Sequence, residues 1–278
     1  MTGPETGALP GMRVAPGARM TEADARVLRR AMRMAGPKVR RALRPLAPES
    51  EGEVRGLRWR LHPSDNLTEA MMWMRGEVAE PRSLDALLDL VRGRRAHVLD
   101  IGANCGAFSL PLAAAAGRGS VVHAFEPNPP MAERLEANVA LNALGDRVRV
   151  HRVALGAEAG EGALAVGEVN LGRTTLMDRL GSRRVTVAIR PLRDYLGRGE
   201  AEVSVLKIDV EGAEAAVLGP MLDDPAAPLP DAILIETEHA AEWPRDLCGE
   251  IAARGYDARL RAEGNTFYVR SPGEAERG

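Results

Sequence analysis

Between His97 and Asn128 the chain reads His-Val-Leu-Asp-Ile-Gly-Ala-Asn-Cys-Gly-Ala-Phe, a run of small apolar residues, and then Val-Val-His-Ala-Phe-Glu-Pro-Asn. Few folds accommodate that order. Val98, Leu99 and Ile101 make a short apolar run flanked by arginine-rich and glycine-rich breakers, which predicts a buried parallel strand. Gly102 and Gly106 bracket a tight turn, and residues 108–116 predict a helix of small residues. Strand, turn and helix together aim backbone N–H groups and a helix N-terminus at a ligand. A second apolar strand over 120–125 ends in Glu126, 20 residues beyond Gly106. An acid there can accept hydrogen bonds from both hydroxyls of a ribose.

The pattern describes a site for an adenosine-containing ligand. It is not Gly-x-Gly-x-x-Gly, because Asn104 stands where a glycine would let a pyrophosphate approach. That argues against a dinucleotide and for a ligand without phosphate, and S-adenosylmethionine fits. Composition narrows the setting. A 45% apolar content supplies a core, while only 3% aromatics leaves Leu, Val and Ala to fill it. A net charge of −2 gives no global pull toward nucleic acid. Cys105 and Cys248 are too few for a disulfide framework and suit a reducing, cytoplasmic setting. No apolar run reaches the roughly 18 residues of a membrane span. All but two of the 37 basic residues are arginines, the exceptions being Lys38 and Lys207. A lysine inside a predicted strand, as Lys207 is, suggests a role that a planar guanidinium cannot fill.

In chain order, residues 1–20 are rich in Gly and Pro and are expected to be disordered. Thr21 caps a predicted helix with Val27, Leu28, Ala31 and Met32 at helical spacing, Gly36-Pro37 breaks it, and a second short helix runs to Leu46. From Arg26 to Arg44 there are eight basic residues and no acidic one. Such a segment suits peripheral contact with a membrane surface or with nucleic acid. The simpler reading is a packing helix with an arginine-rich outer face. Residues 45–52 read as a linker, 54–61 as a strand or hairpin, 66–75 as a Met- and Trp-rich helix stopped by Gly76, and 82–91 as an amphipathic helix. After Glu126 a helix is expected over 131–144 with Gly145 as its stop, then a strand over 148–155. An antiparallel insertion follows, with strands at 162–167, 173–178 and 185–190 and a helical turn at 191–196. Strand 203–210, helix 213–222, strand 232–237, helix 245–254 and a closing hairpin (256–261 and 266–270, turning at 263–265) complete the chain. Alternating strands and helices imply a mostly parallel α/β sheet with right-handed crossovers, a C-terminal antiparallel hairpin and a helical N-terminal extension. Three regions are expected: an extension over 1–52, a cap over 53–96 and a ligand-binding domain over 97–271.

Ligands of open α/β sheets bind at the C-terminal ends of the strands. There the sequence places Asp100, Asn104, Glu126, Lys207, Asp209, Glu211, Glu236, Glu238 and His239. So many carboxylates at one edge are costly unless a cationic or hydrogen-bonding ligand compensates them, and a sulfonium is cationic. Asp100-Ile-Gly-Ala-Asn-Cys-Gly106, Ala124-Phe-Glu-Pro-Asn128 and Leu206-Lys-Ile-Asp-Val-Glu-Gly-Ala-Glu214 together resemble the FkbM family of S-adenosylmethionine-dependent methyltransferases. The Lys-Ile-Asp-Val-Glu-Gly-x-Glu block is the most specific part, and Asn138 and Asn142 also fit. The resemblance spans about residues 80–238 and leaves the first 50 outside. It implies a class I methyltransferase fold of Rossmann-like type. It also implies methylation of a hydroxyl on a sugar, glycolipid or polyketide-type molecule. It would place Asp100, Gly102, Asn104, Gly106 and Glu126 around the cofactor, with Pro127, Asn128 and Asp209 beside them.

Methyl transfer to a hydroxyl needs orientation and a base for the hydroxyl proton. Asp209 is the first candidate for that base, with Lys207 beside it and His239 as second candidate. Glu211, Glu236 and His239 would alternatively suit a divalent cation, although no metal is expected. His97, His123 and His151 lie at or in strands and are expected to be structural. Asn128-Pro-Pro-Met131 resembles the motif of methyltransferases acting on base amino groups, but it follows the second strand rather than the fourth and lacks the stacking aromatic. Two other classes share the features: a nicotinamide-dependent oxidoreductase, which lacks its glycine fingerprint here, and a non-catalytic Rossmann-like binding module.

Overall fold

The computed structural model describes residues 12–15, 20–166, 174–175, 183–197 and 199–271. The chain divides into two compact units, Met1–Ala79 and Glu80–Gly278, a division that falls between the boundaries expected at 52 and 96. Most of residues 1–20, and most of the expected strand over 173–178, lie outside the described residues.

The first unit contains β1 (Arg13–Val14), α1 (Glu22–Met34), α2 (Pro37–Leu43), a 3-10 turn (Arg44–Leu46), β2 (Ser50–Val54), β3 (Leu57–Leu61) and α3 (Leu67–Arg75). Local chemistry explains the boundaries. The Thr21 hydroxyl accepts the Asp24 N–H, Asn66 accepts the Glu69 N–H, and Gly76 ends α3 in the left-handed region. β2 and β3 form a hairpin across Arg55 and Gly56, both at positive φ, as a two-residue type I′ turn requires. Residues 50–52, expected as linker, are therefore strand. The polar Ser50 disguised them: it is buried, and its hydroxyl accepts the Trp73 indole N–H at 2.9 Å.

α1 corrects a second expectation. The inward face is Ala25, Arg29 and Met32 rather than the stripe through Val27. The Arg29 guanidinium lies 4.6 Å over the Trp73 ring, so its stem and flat head cover the indole. Val27 points outward and is 70% exposed.

The second unit runs α4 (Pro81–Val91), β4 (Ala96–Ile101), α5 (Ser109–Ala115), β5 (Val121–Phe125), α6 (Pro129–Leu141), β6 (Val148–His151), β7 (Ala154–Gly156), β8 (Gly160–Val166), β9 (Thr174–Thr175) and β10 (Arg183–Pro191). It continues with β11 (Val203–Ile208), α7 (Glu214–Asp223), β12 (Ala232–Glu236), α8 (Leu247–Ala253), β13 (Tyr256–Ala262) and β14 (Asn265–Arg270). A seven-stranded sheet has the order β13-β14-β12-β11-β4-β5-β6. The β4, β5, β6, β11 and β12 neighbours pair in parallel, while β14 is antiparallel to both β12 and β13. The chain crosses over at β4, and the strands on either side of that switch point carry the site residues.

Leu99, Ile101, Phe125, Leu206, Ile208, Ile233 and Ile235 face one side and pack with α7 and α8. On the same side His97, His123 and His151 stand on adjacent strands and pack with Phe125 and Tyr195. Burial, together with its histidine neighbours, pushes His123 down to about 4. The expected single strand over 148–155 is two strands: β6 stays in the central sheet and β7 pairs with β10 in a second, four-stranded sheet. Val148 and Val150 alternate with Arg149 and His151 in β6, and the alternation slips by one residue at Arg152 before Val153 and Leu155. The insertion is antiparallel as expected between β8 and β10, while β7 adds in parallel. α6 stops at Leu141 rather than at Gly145, because Asn142 and Ala143, at φ 53°, make the turn. β11 stops at Ile208, which leaves Asp209 at the mouth of the sheet.

Candidate active site

Asp100 and Lys207 are register partners on β4 and β11, pointing to the face opposite the Leu99 and Leu206 core. Both are buried. Lys207 Nζ donates to the Gly102 carbonyl at 2.8 Å and lies 3.5 Å from Asp100 Oδ1 and 3.8 Å from Asp209 Oδ2. Burial alone would lower the Lys207 pKa, but the carboxylates of Asp100, Asp209 and Glu80 outweigh it and hold the ammonium above its ordinary value. Asp100 Oδ2 accepts the Ser109 hydroxyl at 2.5 Å, which ties the strand to the first turn of α5.

The backbone around Gly102 leaves no room. Its φ is +81°, and a Cβ built there would sit 1.9 Å from the Asp209 carbonyl oxygen. The Asp209 N–H donates to Ile101 O at 3.0 Å. The glycine turn and the end of β11 are thus one interlocked piece. Gly106, at φ +97°, is equally enclosed, with Leu110 and Leu135 where its Cβ would go. Asn104 also takes a left-handed conformation, φ 52°, which asparagine tolerates, and its own Oδ1 accepts the Cys105 N–H. Asn138 Nδ2 donates to Cys105 O at 3.2 Å, tying α6 to the same turn.

Glu126 is fully enclosed at the end of β5. Its Oε2 accepts the Asn104 N–H at 2.8 Å and its Oε1 the Asn128 N–H at 2.9 Å. Burial raises its pKa to about 7 against those two bonds. Pro127 lies between Glu126 and Asn128 in the chain. Asn128 is the N-cap of α6 with Pro129 at the first helical position, so Asn128-Pro-Pro is a helix start rather than a base-binding motif.

Glu80 was missing from the sequence reading. At the N-cap of α4 it accepts Asn265 Nδ2 at 2.7 Å and faces Asp209 and Lys207; burial and Asp209 raise it to about 7. Its partner is 185 residues away, and no local pattern signals such a contact. Glu214 was visible only as a motif letter. Buried, it accepts the Val210 and Gly212 N–H groups on Oε1, at 3.0 and 3.2 Å, and the Trp243 indole N–H on Oε2 at 2.9 Å. The loop it fastens contains Glu211 and Gly212, both at positive φ. Glu236, at the end of β12, is raised to about 9 by burial and by the Asp209, Glu211 and Glu214 carboxylates. His239 meets Glu211 at 3.6 Å and Glu242 at 3.4 Å, rather than Lys207 or Asp209. Among the described residues no three His, Cys, Asp or Glu side chains converge as a metal site.

A sheet with the seventh strand antiparallel between the fifth and sixth, a glycine turn after the first strand and a buried acid after the second define a class I methyltransferase domain. The methyltransferase FkbM domain matches residues 100–258. The chain belongs to the FkbM methyltransferase family, and the methyl donor of its domain is S-adenosylmethionine. The nicotinamide reading falls with that assignment. Part of the chain is 31% identical to the AMB antimetabolite synthetase AmbE of Pseudomonas aeruginosa, over 65% of this chain and 11% of that one. Methyltransferase 1 of Beauveria bassiana is 29% identical, over 50% of this chain and 63% of its own length. The chain thus spans less than two thirds of either relative. The crystal structure of methyltransferase FkbM from Methylobacillus flagellatus KT is similar at 14% identity and a TM-score of 0.43, covering 73% of this chain and 66% of that one.

The site suits the donor on its own chemistry. Each Glu126 oxygen takes one backbone N–H and keeps a lone pair for a ribose hydroxyl. The neighbouring carboxylates offset a sulfonium charge.

Proposed function

We propose that the chain methylates a hydroxyl group of a small molecule or glycan, of the sugar, glycolipid or polyketide type, with Asp209 as general base. The observation that carries this reading is the position of Asp209, just past the end of β11, locked to the Gly102 turn and 3.8 Å from the Lys207 ammonium. When bound, the donor would supply an electrophilic methyl group on a sulfonium, and cleavage of its S–CH3 bond would release the neutral thioether S-adenosylhomocysteine. Glu126, Gly102, Asn104 and Gly106 hold the donor, with Asp100, Pro127 and Asn128 behind them. As the hydroxyl oxygen gains the methyl carbon, its proton passes to a carboxylate oxygen of Asp209. Lys207 fixes that carboxylate and balances its charge, and Glu236, which keeps its proton at neutral pH, adds no second negative charge beside it. His239 is the reserve candidate, held by Glu211.

No helix among the described residues is long and apolar enough to cross a membrane. Cys105 and Cys248 are both free thiols, which supports the cytoplasmic setting expected from the sequence. The net charge of −2 supports an acceptor other than nucleic acid. The test is single-turnover methyl transfer by Asp209→Asn, with S-adenosylhomocysteine affinity measured in parallel. The expected result is a loss of roughly 10²–10⁴-fold in rate with cofactor affinity nearly unchanged. A near wild-type rate moves the base role to His239. Absence of methyl turnover by the unaltered protein on any hydroxyl acceptor would favour a binding module.

A further inference from the structure

α1 has two faces, and their chemistry is reversed. The inner face buries Arg29 against Trp73. The outer face carries Val27, Ala31 and Met34 at the i, i+4, i+7 spacing of one helical stripe, all exposed. Val27 is 70% and Met34 79% exposed. α2 follows with no buried residue at all, and Val39 and Leu46 add further exposed apolar side chains. Interleaved with them are the exposed Arg26, Arg30, Lys38 and Arg41, while Arg33 turns back to donate to the Met74 carbonyl at 2.7 Å. Among the described residues none of these four cations has an ion pair. Five acids of the same unit are engaged elsewhere. Glu22 accepts the Val14 N–H and Asp24 the Thr21 hydroxyl, while Glu49 and Glu51 pair with Arg60 and Glu77 with Arg55.

We propose that this outer face of α1 and α2 docks on an anionic lipid surface. Three occupants compete, and charge and apolarity separate them. A second copy would set arginine against arginine across an isologous contact, which like-charge repulsion opposes. A nucleic acid would neutralise the cations but leave Val27, Met34 and Val39 against phosphate or in water. An anionic membrane satisfies both: apolar side chains enter the acyl boundary while the long arginine and lysine stems carry their charges to the headgroups. No residue of this surface is among those of the methyl-transfer site, so the inference stands independently of the acceptor proposed above.

The test is co-sedimentation of the full chain with vesicles of phosphatidylcholine alone and of equal parts phosphatidylcholine and phosphatidylglycerol. Binding to the anionic vesicles is expected to be at least about ten-fold tighter, and to weaken as salt is raised. Arg30→Gln with Arg41→Gln should cost about five-fold per removed charge, the equivalent of about 1 kcal/mol each. Val27→Gln with Met34→Gln should cost about ten-fold on the same vesicles. Because these positions are exposed, melting temperature and S-adenosylhomocysteine affinity should not move. Equal binding to both vesicle types, binding to neither, or variants that bind like wild type would each overturn the proposal. So would binding to an oligonucleotide without vesicle binding, or a dimer that the Val27 and Met34 changes disperse.

Discussion

Replacing Glu126 by glutamine changes a single atom at the most enclosed acid of the site. Two backbone N–H groups converge on its carboxylate, Asn104 N on Oε2 and Asn128 N on Oε1. An amide offers one acceptor, so one of these N–H groups must face an NH₂. A stranded buried donor costs about 1–3 kcal/mol of stability. Cofactor binding should fall for a separate reason, because one ribose hydroxyl loses a charged acceptor. That loss is worth about 1.5–3 kcal/mol, or roughly ten- to hundred-fold in Kd. pH supplies an independent handle. Burial raises Glu126 to about 7, and only the ionised form accepts both hydroxyls. Affinity for S-adenosylhomocysteine should therefore fall as pH drops below about 7, approaching ten-fold per unit, and level off above it. The sign for folding is opposite. A carboxyl with a raised pKa in the fold contributes least once it must ionise, so the cofactor-free protein loses stability as pH climbs from 4.5 to about 7. Calorimetry across that window, with thermal melts on the same samples, reads both effects. If Glu126→Gln melts earlier yet binds within about five-fold of wild type, with the same pH profile, Glu126 only braces the loop and the cofactor role is refuted.

Gly102→Ala places a methyl group 1.9 Å from the Asp209 carbonyl at a φ of +81° and should cost at least about 3 kcal/mol in a denaturant titration; an unchanged midpoint would show that the two loops are not interlocked. Lys207→Met strips the buried Asp100 of its counter-ion and should destabilise by about 3–5 kcal/mol at neutral pH; a neutral effect in the same titration would mean that Asp100 is paired by other means. A chain beginning at Glu80 should unfold in one cooperative calorimetric transition and still bind S-adenosylhomocysteine, whereas one beginning at Ser50 keeps β2, β3 and α3 without the α1 helix that covers Trp73. A broad, non-cooperative melt of the shorter chain would show that residues 1–79 are needed for its fold.

The central sheet was legible because β4, β5, β11 and β12 are short, mostly apolar runs that end at Gly102, Glu126, Asp209 and Glu236. The strand ends were legible for the same reason, so Asp100, Glu126, Lys207 and Asp209 were placed at or near the strand ends without coordinates. What was hidden depends on distant partners. Glu80 gains its place from Asn265, and Glu214 gains its role from two backbone N–H groups and the Trp243 indole. The direction in which α1 faces was misread because periodicity ranks Val27 above Arg29 as an inward residue. A flat guanidinium over an aromatic ring reverses that ranking. Ser50 escaped because a buried hydroxyl with a partner looks like a loop residue in sequence.

The fastening of the loop after β11 separates two properties that usually change together. Glu214 holds Val210 and Gly212 by their backbones, from a position on α7 outside the loop. A substitution at Val210 keeps the N–H that Glu214 needs, so it changes how the side chain packs on the apolar core with α7 and α8 while the course of the loop is kept. An engineer who varies this loop can therefore change its side chains and keep its backbone, provided Glu214 and Trp243 are left untouched.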